Sequence, residues 1–176
     1  DIRGSLAAAW NSQYLFLSFT VLDNCFLQPF SGILTWNGDS IQIGLANVKV
    51  AKTGNLFAEK MTLAYSETDF ALTPKGLEVY RTITYDSNQF PAGLVAPDKI
   101  KFQLKKHDLD KGHCKLVYEI AIPWQTINMV PARGKQFGLG FTINDRDKSV
   151  KILKHTSRIG AFELKDPYKF GVLTLD

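Results

Sequence analysis

The sequence has few of the residues that build disulfide scaffolds or thiolate and imidazole metal sites. Its 176 residues include two cysteines, Cys25 and Cys114, and three histidines, without metal-ligand spacing. The cysteines could form one disulfide in an oxidising compartment or remain two buried thiols, because sequence separation does not determine their distance. No apolar run approaches the roughly 18–20 residues that span a bilayer, so a membrane-spanning helix is not expected.

The charge balance and composition are those of an ordinary globular chain. Lys and Arg number 21 against 17 Asp and Glu, giving a net charge of +4, which permits an anionic partner without requiring one. Hydrophobic residues make up 45% and aromatic residues 12%, enough for a sizeable core. The chain shows no internal repeat, low-complexity tract or linker. We therefore expect residues 1–176 to form one domain.

Alternation of apolar and polar residues with a period of two predicts strands along most of the chain. The run at Tyr14–Leu22 is bulky on both faces, which predicts a central strand covered on both sides. Helical periodicity is almost absent, apart from a single turn that Pro123 could start. Short strands separated by turn signals predict an all-β fold, an antiparallel β-sandwich or barrel. The predicted strands are Tyr14–Leu22, Ser40–Leu45, Leu77–Ile83, Lys99–Leu104, Lys115–Ile122, Phe137–Ile143 and Phe170–Leu175.

Nothing in the sequence indicates a catalytic site. His107, His113 and His155 do not stand in a zinc-protease or triad arrangement. Seventeen acidic residues allow many carboxylate pairs, so no pair stands out as a glycosidase site. Basic residues are interspersed with acidic ones, and no nucleic-acid recognition motif is present. The protein is therefore predicted not to be an enzyme by itself and not to bind nucleic acid.

Three tryptophans are the other candidates for function, because the apolar faces of sugar rings stack on indoles. Trp10 and Trp124 are expected to pack in the core or at strand ends. Trp36 lies just before a turn and a strand, among polar neighbours, where a large side chain can remain accessible. Trp36 is therefore the residue most suited to contact a ligand.

Five motifs then carry a resemblance. In order they are AWNSQYLF at 9–16, WNGDSIQI at 36–43, YEIAIPW at 118–124, GLGFTINDRD at 138–147 and DPYKFGVL at 166–173. They resemble the conserved segments of family 9 carbohydrate-binding modules. The resemblance implies a jelly-roll or immunoglobulin-like β-sandwich of the DOMON-like group. Such domains are modules of secreted, cell-surface or periplasmic bacterial proteins, so we expect residues 1–176 to be a fragment of a larger multidomain protein.

The resemblance also implies site residues. Its sugar binders hold the sugar between two tryptophans, with polar side chains around it and calcium nearby. Trp36 falls on the first tryptophan, Leu164 stands at the second, and Gln42 stands where an acidic residue is expected. The implied ligand-binding residues are Trp36, Gln42, Lys60, Asn144, Asp145, Phe162 and Leu164. The carboxylates considered for calcium are Asp23, Asp39 and Asp145.

Three functions remain open from the sequence. The first is a non-catalytic module that targets an attached enzyme to a polysaccharide, which would be acidic if the basic segment Arg146–Arg158 takes part. The second is a structural module that docks on a neighbouring domain through Trp36. The third, which the resemblance to DOMON-like sandwiches implies, is haem b binding by Met61 with Lys151, Lys154 or His155, although a strand methionine is far more often core packing.

Overall fold

The chain folds as two antiparallel sheets. The computed structural model describes residues 2–47, 64–147, 154–159 and 166–176. In these residues, a four-stranded sheet has the order β1-β2-β8-β7, and a seven-stranded sheet has the order β10-β9-β3-β4-β5-β6, with β11 also paired to β9. The strands are β1 Arg3–Trp10, β2 Tyr14–Asp23, β3 Ser40–Ala46, β4 Ser66–Thr73, β5 Gly76–Ile83, β6 Gly93–Leu94, β7 Lys101–Asp108, β8 Cys114–Pro123, β9 Gln136–Asp145, β10 Lys154–Ile159 and β11 Gly171–Thr174.

Local chemistry sets the turns of the four-stranded sheet. Between β1 and β2, the Asn11 side-chain oxygen accepts hydrogen bonds from the backbone N–H groups of Gln13 and Tyr14, both at 2.8 Å. Between β7 and β8, Lys111 and Gly112 take the left-handed conformation, with φ of 62° and 82°. These two hairpins bring β2 and β8 together in the middle of the sheet.

The core lies between the two sheets. The inward residues of β2 are Leu15, Leu17, Phe19 and Val21, and all are buried. Across the interface, the rings of Phe19 and Phe141 meet edge to face with centroids 5.1 Å apart. Two sheets with one shared apolar core are the sandwich that the alternation predicts, so the predicted all-β sandwich is confirmed.

The outer face of β2 differs from its prediction. Strand β2 is central in its sheet, but Phe16 is 38% exposed and Leu22 is 43% exposed. The expectation of cover on both sides is therefore wrong. Bulky side chains can remain at a sheet surface because a folded protein retains much apolar surface.

Trp10, Trp124 and Pro123 lie where the sequence predicts them. Trp124 is buried, and its indole N–H donates to the carbonyl of Asn11 at 2.8 Å. Trp10 ends β1 and packs against the core. Pro123 ends β8, and a 3-10 turn follows it at Trp124–Ile127. Cys25 and Cys114 do not form a disulfide. Both are free thiols, of which Cys114 is buried and Cys25 half-buried. Within the described residues, no helix has the length and apolar character to cross a bilayer.

Candidate functional site

Trp36 stands on a short 3-10 helix, Gly32–Asn37, that leads into β3. The helix is tied to the seven-stranded sheet, since the backbone N–H of Gly32 donates to Glu78 Oε2 at 2.8 Å. Trp36 is 37% exposed, and Ile33 and Leu34 on the same helix are also exposed. The sequence prediction of an accessible indole before β3 is confirmed at this point of the fold.

The buried side chain of Gln28 holds the Trp36 helix in place. Its Nε2 donates to the carbonyls of Thr35, at 2.8 Å, and Asp39, at 3.0 Å. Its Oε1 accepts from the backbone N–H of Phe30 at 3.1 Å. Gly38 is required beside it, because a Cβ at this position would lie 2.2 Å from Gln28 Oε1. The helix carrying Trp36 is therefore fixed at its C-terminal end by one amide side chain.

Replacing Gly38 by alanine is expected to lower the free energy of unfolding by about 1–3 kcal/mol, the usual cost of overpacking. The added methyl would displace Gln28 and break its hydrogen bonds to Thr35 and Asp39. Urea denaturation of G38A, Q28A and the double variant measures this. If the clash is the cause, the double variant should be no less stable than Q28A alone. Additive losses would contradict the clash.

Polar side chains line the outer face of the seven-stranded sheet next to this helix. We call Ser40, Gln42, Asp69, Thr142 and Asn144 the outer polar face; all five are buried. Gln42 on β3 lies between Asp69 on β4 and Thr142 on β9 in the strand register. Asn144 Nδ2 donates to Ser40 Oγ at 2.9 Å and to Gln42 Oε1 at 3.3 Å. These contacts cross-link β3 and β9 and orient the Gln42 amide.

The outer polar face reaches the tryptophan helix through Thr35. Thr35 Oγ1 donates to Asp69 Oδ2 at 3.5 Å, and Thr35 directly precedes Trp36. Glu67 lies two residues before Asp69, on the same sheet face, and its carboxylate accepts a hydrogen bond from the Tyr65 hydroxyl at 3.0 Å. Burial, with the negative charge of Glu67, raises the pKa of the Tyr65 phenol. Two carboxylates and two amides are therefore concentrated on one sheet face.

Glu67, Asp69 and Thr142 were not predicted as site residues from the sequence. Strand β4 was not predicted, because every residue in its first half is polar and the alternation of apolar and polar residues is missing there. The available signal was the spacing of Glu67 and Asp69, which places two carboxylates on one face of any strand that contains them.

Three buried carboxylates gather at one end of the sandwich. Asp23 ends β2, Asp39 precedes β3 and Asp145 ends β9, and one oxygen of each lies within 4.8 Å of the others. Their exposed fractions are only 1–2%. Asp39 accepts hydrogen bonds from the backbone N–H groups of Leu27 and Arg146, the latter at 2.7 Å. These are the three carboxylates considered for calcium from the sequence, and the structure brings them together.

The donor set of this carboxylate cluster suits a hard divalent cation. Calcium binds six to eight oxygen ligands, with carboxylates and carbonyls among them. The pKa of Asp39 is raised to about 8, because burial and, to a smaller extent, the charges of Asp23 and Asp145 outweigh the lowering effect of the N–H groups of Leu27 and Arg146. Burial also raises the pKa of Asp23, against a hydrogen bond from Cys25. Close buried carboxylates are costly to ionise unless a cation joins them.

In the absence of divalent cations, the free energy of unfolding is expected to fall as pH rises from about 4 to about 8. An unfolded Asp titrates near pKa 3.9, whereas folded Asp39 titrates at about 8. In this window the folded state therefore binds more protons, and each increase in pH favours unfolding. The stabilising contribution is complete below about pH 4 and lost above the folded pKa.

Urea denaturation in a chelator between pH 5 and pH 9 measures this slope. Asp39→Asn should flatten it, because the amide does not titrate. An equally steep slope in Asp39→Asn would assign the pH dependence to other groups.

The whole chain matches a known protein family. The profile of the family described as carbohydrate family 9 binding domain-like matches residues 1–176. The chain belongs to this family. The resemblance carried by the five motifs is thereby confirmed. No curated protein sequence matches the chain.

Solved structures agree with the fold of this family 9 domain. One is a family 9 carbohydrate-binding module from Caldicellulosiruptor kristjanssonii in complex with cellotriose, with a TM-score of 0.65 and 14% identity, over 99% of this chain and 75% of that chain. A glucose complex of a family 9 module from the same organism gives a TM-score of 0.64 at 14% identity, over 99% of this chain and 77% of that chain. At such identity these similarities establish the shared fold.

The site residues that the resemblance implied divide into three groups in this family 9 domain. Trp36, Gln42 and Asn144 belong to the tryptophan helix and the outer polar face. Asp145 does not join Asn144, because successive strand residues point to opposite faces; it lies in the carboxylate cluster instead. Lys60, Phe162 and Leu164 lie outside the described residues, as do Met61 and Lys151 of the haem hypothesis.

The basic segment Arg146–Arg158 is described only in part. Arg146 lies with its guanidinium 5.1 Å from the centroid of the Phe30 ring, and it donates to the carbonyl of Asn37 at 3.0 Å. Lys154 and His155 lie in strand β10, where His155 is paired in register with Asn144. Lys148 lies outside the described residues. Arg146 therefore also holds the C-terminal end of the Trp36 helix, whose last residue is Asn37.

Proposed function

We propose that this family 9 domain is a non-catalytic carbohydrate-binding module that stacks a sugar ring on Trp36. The observation that carries the proposal is an indole 37% exposed on a helix whose neighbouring Thr35 contacts the outer polar face. An indole face offers a flat apolar surface for the C–H face of a pyranose ring. The buried carboxylates and amides of the neighbouring sheet face would hold the helix and its indole in position.

Orientation of the polar groups supports a fixed geometry of binding. Asn144 holds the Gln42 amide at 3.3 Å, and Thr35 holds Asp69 at 3.5 Å. Side chains fixed before a ligand arrives lose less conformational entropy on binding. Gln42 and Asp69 are themselves buried, so their role would be to hold Thr35 and the Trp36 helix in position rather than to touch the sugar.

A glucose-based oligosaccharide is the ligand class that the comparisons favour. The two Caldicellulosiruptor modules are complexes with cellotriose and with glucose. In this chain, the polar groups beside the Trp36 helix are the neutral Gln42 and the carboxyl groups of Glu67 and Asp69, none of which supplies the positive charge that a uronate or sulfate would need. The proposed ligand of the Trp36 site is therefore a neutral β-linked glucan segment.

The proposal includes a structural calcium ion held by Asp23, Asp39 and Asp145. Three carboxylates within 4.8 Å supply oxygen ligands from the ends of β2 and β9 and the start of β3. Bound calcium would neutralise the mutual repulsion of these carboxylates and join three segments of both sheets. Asp39 follows Trp36 by three positions, so the ion would also brace the sugar platform.

The biological role proposed is attachment of a polysaccharide-active enzyme to its substrate outside the cell. A binding module raises the effective concentration of a tethered enzyme on the polymer without any chemistry of its own. This role also fits a domain that belongs to a family named for carbohydrate binding.

Isothermal titration of the domain with cellotriose and glucose tests the proposal, followed by an array of plant and algal glycans. Saturable binding of a neutral glucan supports it. Silence across the array would favour the structural docking module, in which Trp36 meets a neighbouring domain rather than a sugar.

A further inference from the structure

The outer face of the four-stranded sheet is a second candidate surface, on the other sheet from Trp36. The strand register defines its residues. Every second residue of β2, the exposed or half-buried ones, lies on this face together with its partners in β1 and β8. The same face continues onto β7, which pairs with β8. We call this surface the basic face. Its charged residues are Arg3, Lys101, Lys105, Lys115 and Glu119.

Positive charge is concentrated on the basic face. Four cations stand against the single carboxylate of Glu119, an excess of three where the whole chain carries +4. Lys105 approaches Glu119 at 3.9 Å, but both side chains are more than half exposed, and such pairs contribute little. Lys101 lies over the Tyr14 ring with Nζ 5.2 Å from its centroid. The basic face therefore presents a positive potential along β7.

A groove of about 360 Å³ crosses the basic face. Small residues from β1 and β8, Ala7, Ala9 and Ala121, leave space beside the ring of Phe16, which is 38% exposed. Ser18, Gln103 and Glu119 supply hydrogen-bonding groups, and Lys101 lies at the β7 side. An aromatic ring in a shallow trough with polar groups around it is a surface suited to sugar rings.

We propose that the basic face binds an acidic polysaccharide, a chain carrying carboxylate or sulfate groups. Lys101 and Lys105 are four residues apart on one strand face, so their α-carbons lie roughly 13 Å apart. That spacing suits a polymer with intermittent charges. A nucleic acid duplex carries a charge about every 1.7 Å and is usually met by denser clusters of cations. A trough rather than a protruding apolar ridge also disfavours a lipid surface.

The basic face differs from the Trp36 site in its ligand, its sheet and its driving force. The neutral glucan would rest on Trp36, whereas the acidic chain would be attracted by lysines on the opposite sheet. Two such surfaces would allow one domain to bind a neutral and an acidic polymer of a composite matrix. Failure of one surface leaves the other unaffected.

Affinity electrophoresis in gels containing polygalacturonate tests the inference. The wild-type domain should be retarded, and the retardation should disappear as salt rises from about 0.05 M to about 0.5 M, where the Debye length becomes short. Lys101→Glu/Lys105→Glu should weaken binding about tenfold or more, because two attractions become repulsions. Phe16→Ala should also weaken it while W36A leaves it unchanged.

A control with the same change in net charge isolates the site. Lys75→Glu/Lys135→Glu reverses two exposed lysines that do not belong to the basic face. Its retardation by polygalacturonate should match that of the wild type. Equal losses in the two double variants would overturn the inference in favour of a net-charge effect. Tighter binding to single-stranded DNA, or to vesicles containing phosphatidylserine, would overturn the polysaccharide assignment, as would absence of any retardation.

Discussion

Replacing Trp36 by alanine is expected to weaken cellotriose binding by roughly 5- to 150-fold. An aromatic stack on a planar ring contributes on the order of 1–3 kcal/mol, which corresponds to that range of affinity. Because the indole is 37% exposed, its removal should leave the free energy of unfolding within about 1 kcal/mol of the wild type. Titration calorimetry and urea denaturation measure the two quantities.

Two variants separate stacking from general loss of apolar surface. Trp36→Phe keeps a smaller aromatic face and should retain intermediate affinity. Leu77→Ala removes a comparably exposed side chain from β5 and should bind as the wild type does. A Trp36→Ala protein that unfolds or aggregates, with wild-type affinity in its folded fraction, would contradict the sugar platform and support a docking role.

Adding calcium to metal-free protein is expected to raise Tm by roughly 5–11 °C. When free calcium is about 100 times Kd, binding contributes about 2.7 kcal/mol. Each kcal/mol shifts the Tm of a domain of this size by about 2–4 °C. The physical cause is neutralisation of Asp23, Asp39 and Asp145, whose ligand atoms lie within 4.8 Å of one another. Differential scanning calorimetry with and without a chelator measures the shift.

Asp23→Asn tests the carboxylate cluster with little change in shape. Its side-chain oxygen could still accept the hydrogen bond that Asp23 now receives from the Cys25 N–H at 2.8 Å. The variant should lose the calcium-dependent rise in Tm. Without calcium it should be more stable than the wild type at pH 8, because one buried negative charge is gone.

Asp86→Asn is the matched control. Asp86 likewise accepts a hydrogen bond from the backbone N–H two residues later, that of Asn88 at 3.0 Å, and it does not belong to the carboxylate cluster. Its calcium response should equal that of the wild type. If Asp23→Asn responds to calcium as fully as Asp86→Asn does, the cluster is not the calcium site.

The strands that could be predicted are those that alternate apolar with polar residues. Strand β3 begins at the predicted Ser40, and β8 and β9 lie within one or two residues of their predicted ends. Strands β1 and β4 were missed for local reasons. The Ala7–Ala9 run carries no alternation, and the first half of β4 is polar on both faces. Pairing with a neighbouring strand, which a local pattern does not contain, is what makes these segments extended.

Burial on the outer faces reversed the expectation from composition. The aromatic β2 has one face open to solvent, whereas β3, with Ser40, Gln42 and Gly44 on its outer side, is buried throughout. A single-strand pattern gives the side-chain periodicity but not the position of the strand in the fold. Cover is a property of distant segments, and no local pattern reports it.

The candidate site was predictable one residue at a time but not as an arrangement. Trp36 was indicated by its polar neighbours, and Asp39 was considered for calcium together with Asp23 and Asp145. Their relation to Asp69 and Gln28 depends on contacts between segments that lie 7 to 34 positions apart. Long-range contacts of this kind are specified by the whole fold.

Hydrogen bonds between Leu27 and Asp39 close the loop that carries Trp36 into a ring. Asp39 N–H donates to the carbonyl of Leu27 at 3.2 Å, and the Asp39 carboxylate accepts from the Leu27 N–H. Gln28 spans the interior of the same ring. A ring fastened in this way opens as a cooperative unit. The affinity observed for a sugar is then the intrinsic affinity multiplied by the closed fraction, so substitutions that never touch the ligand change binding by changing that population.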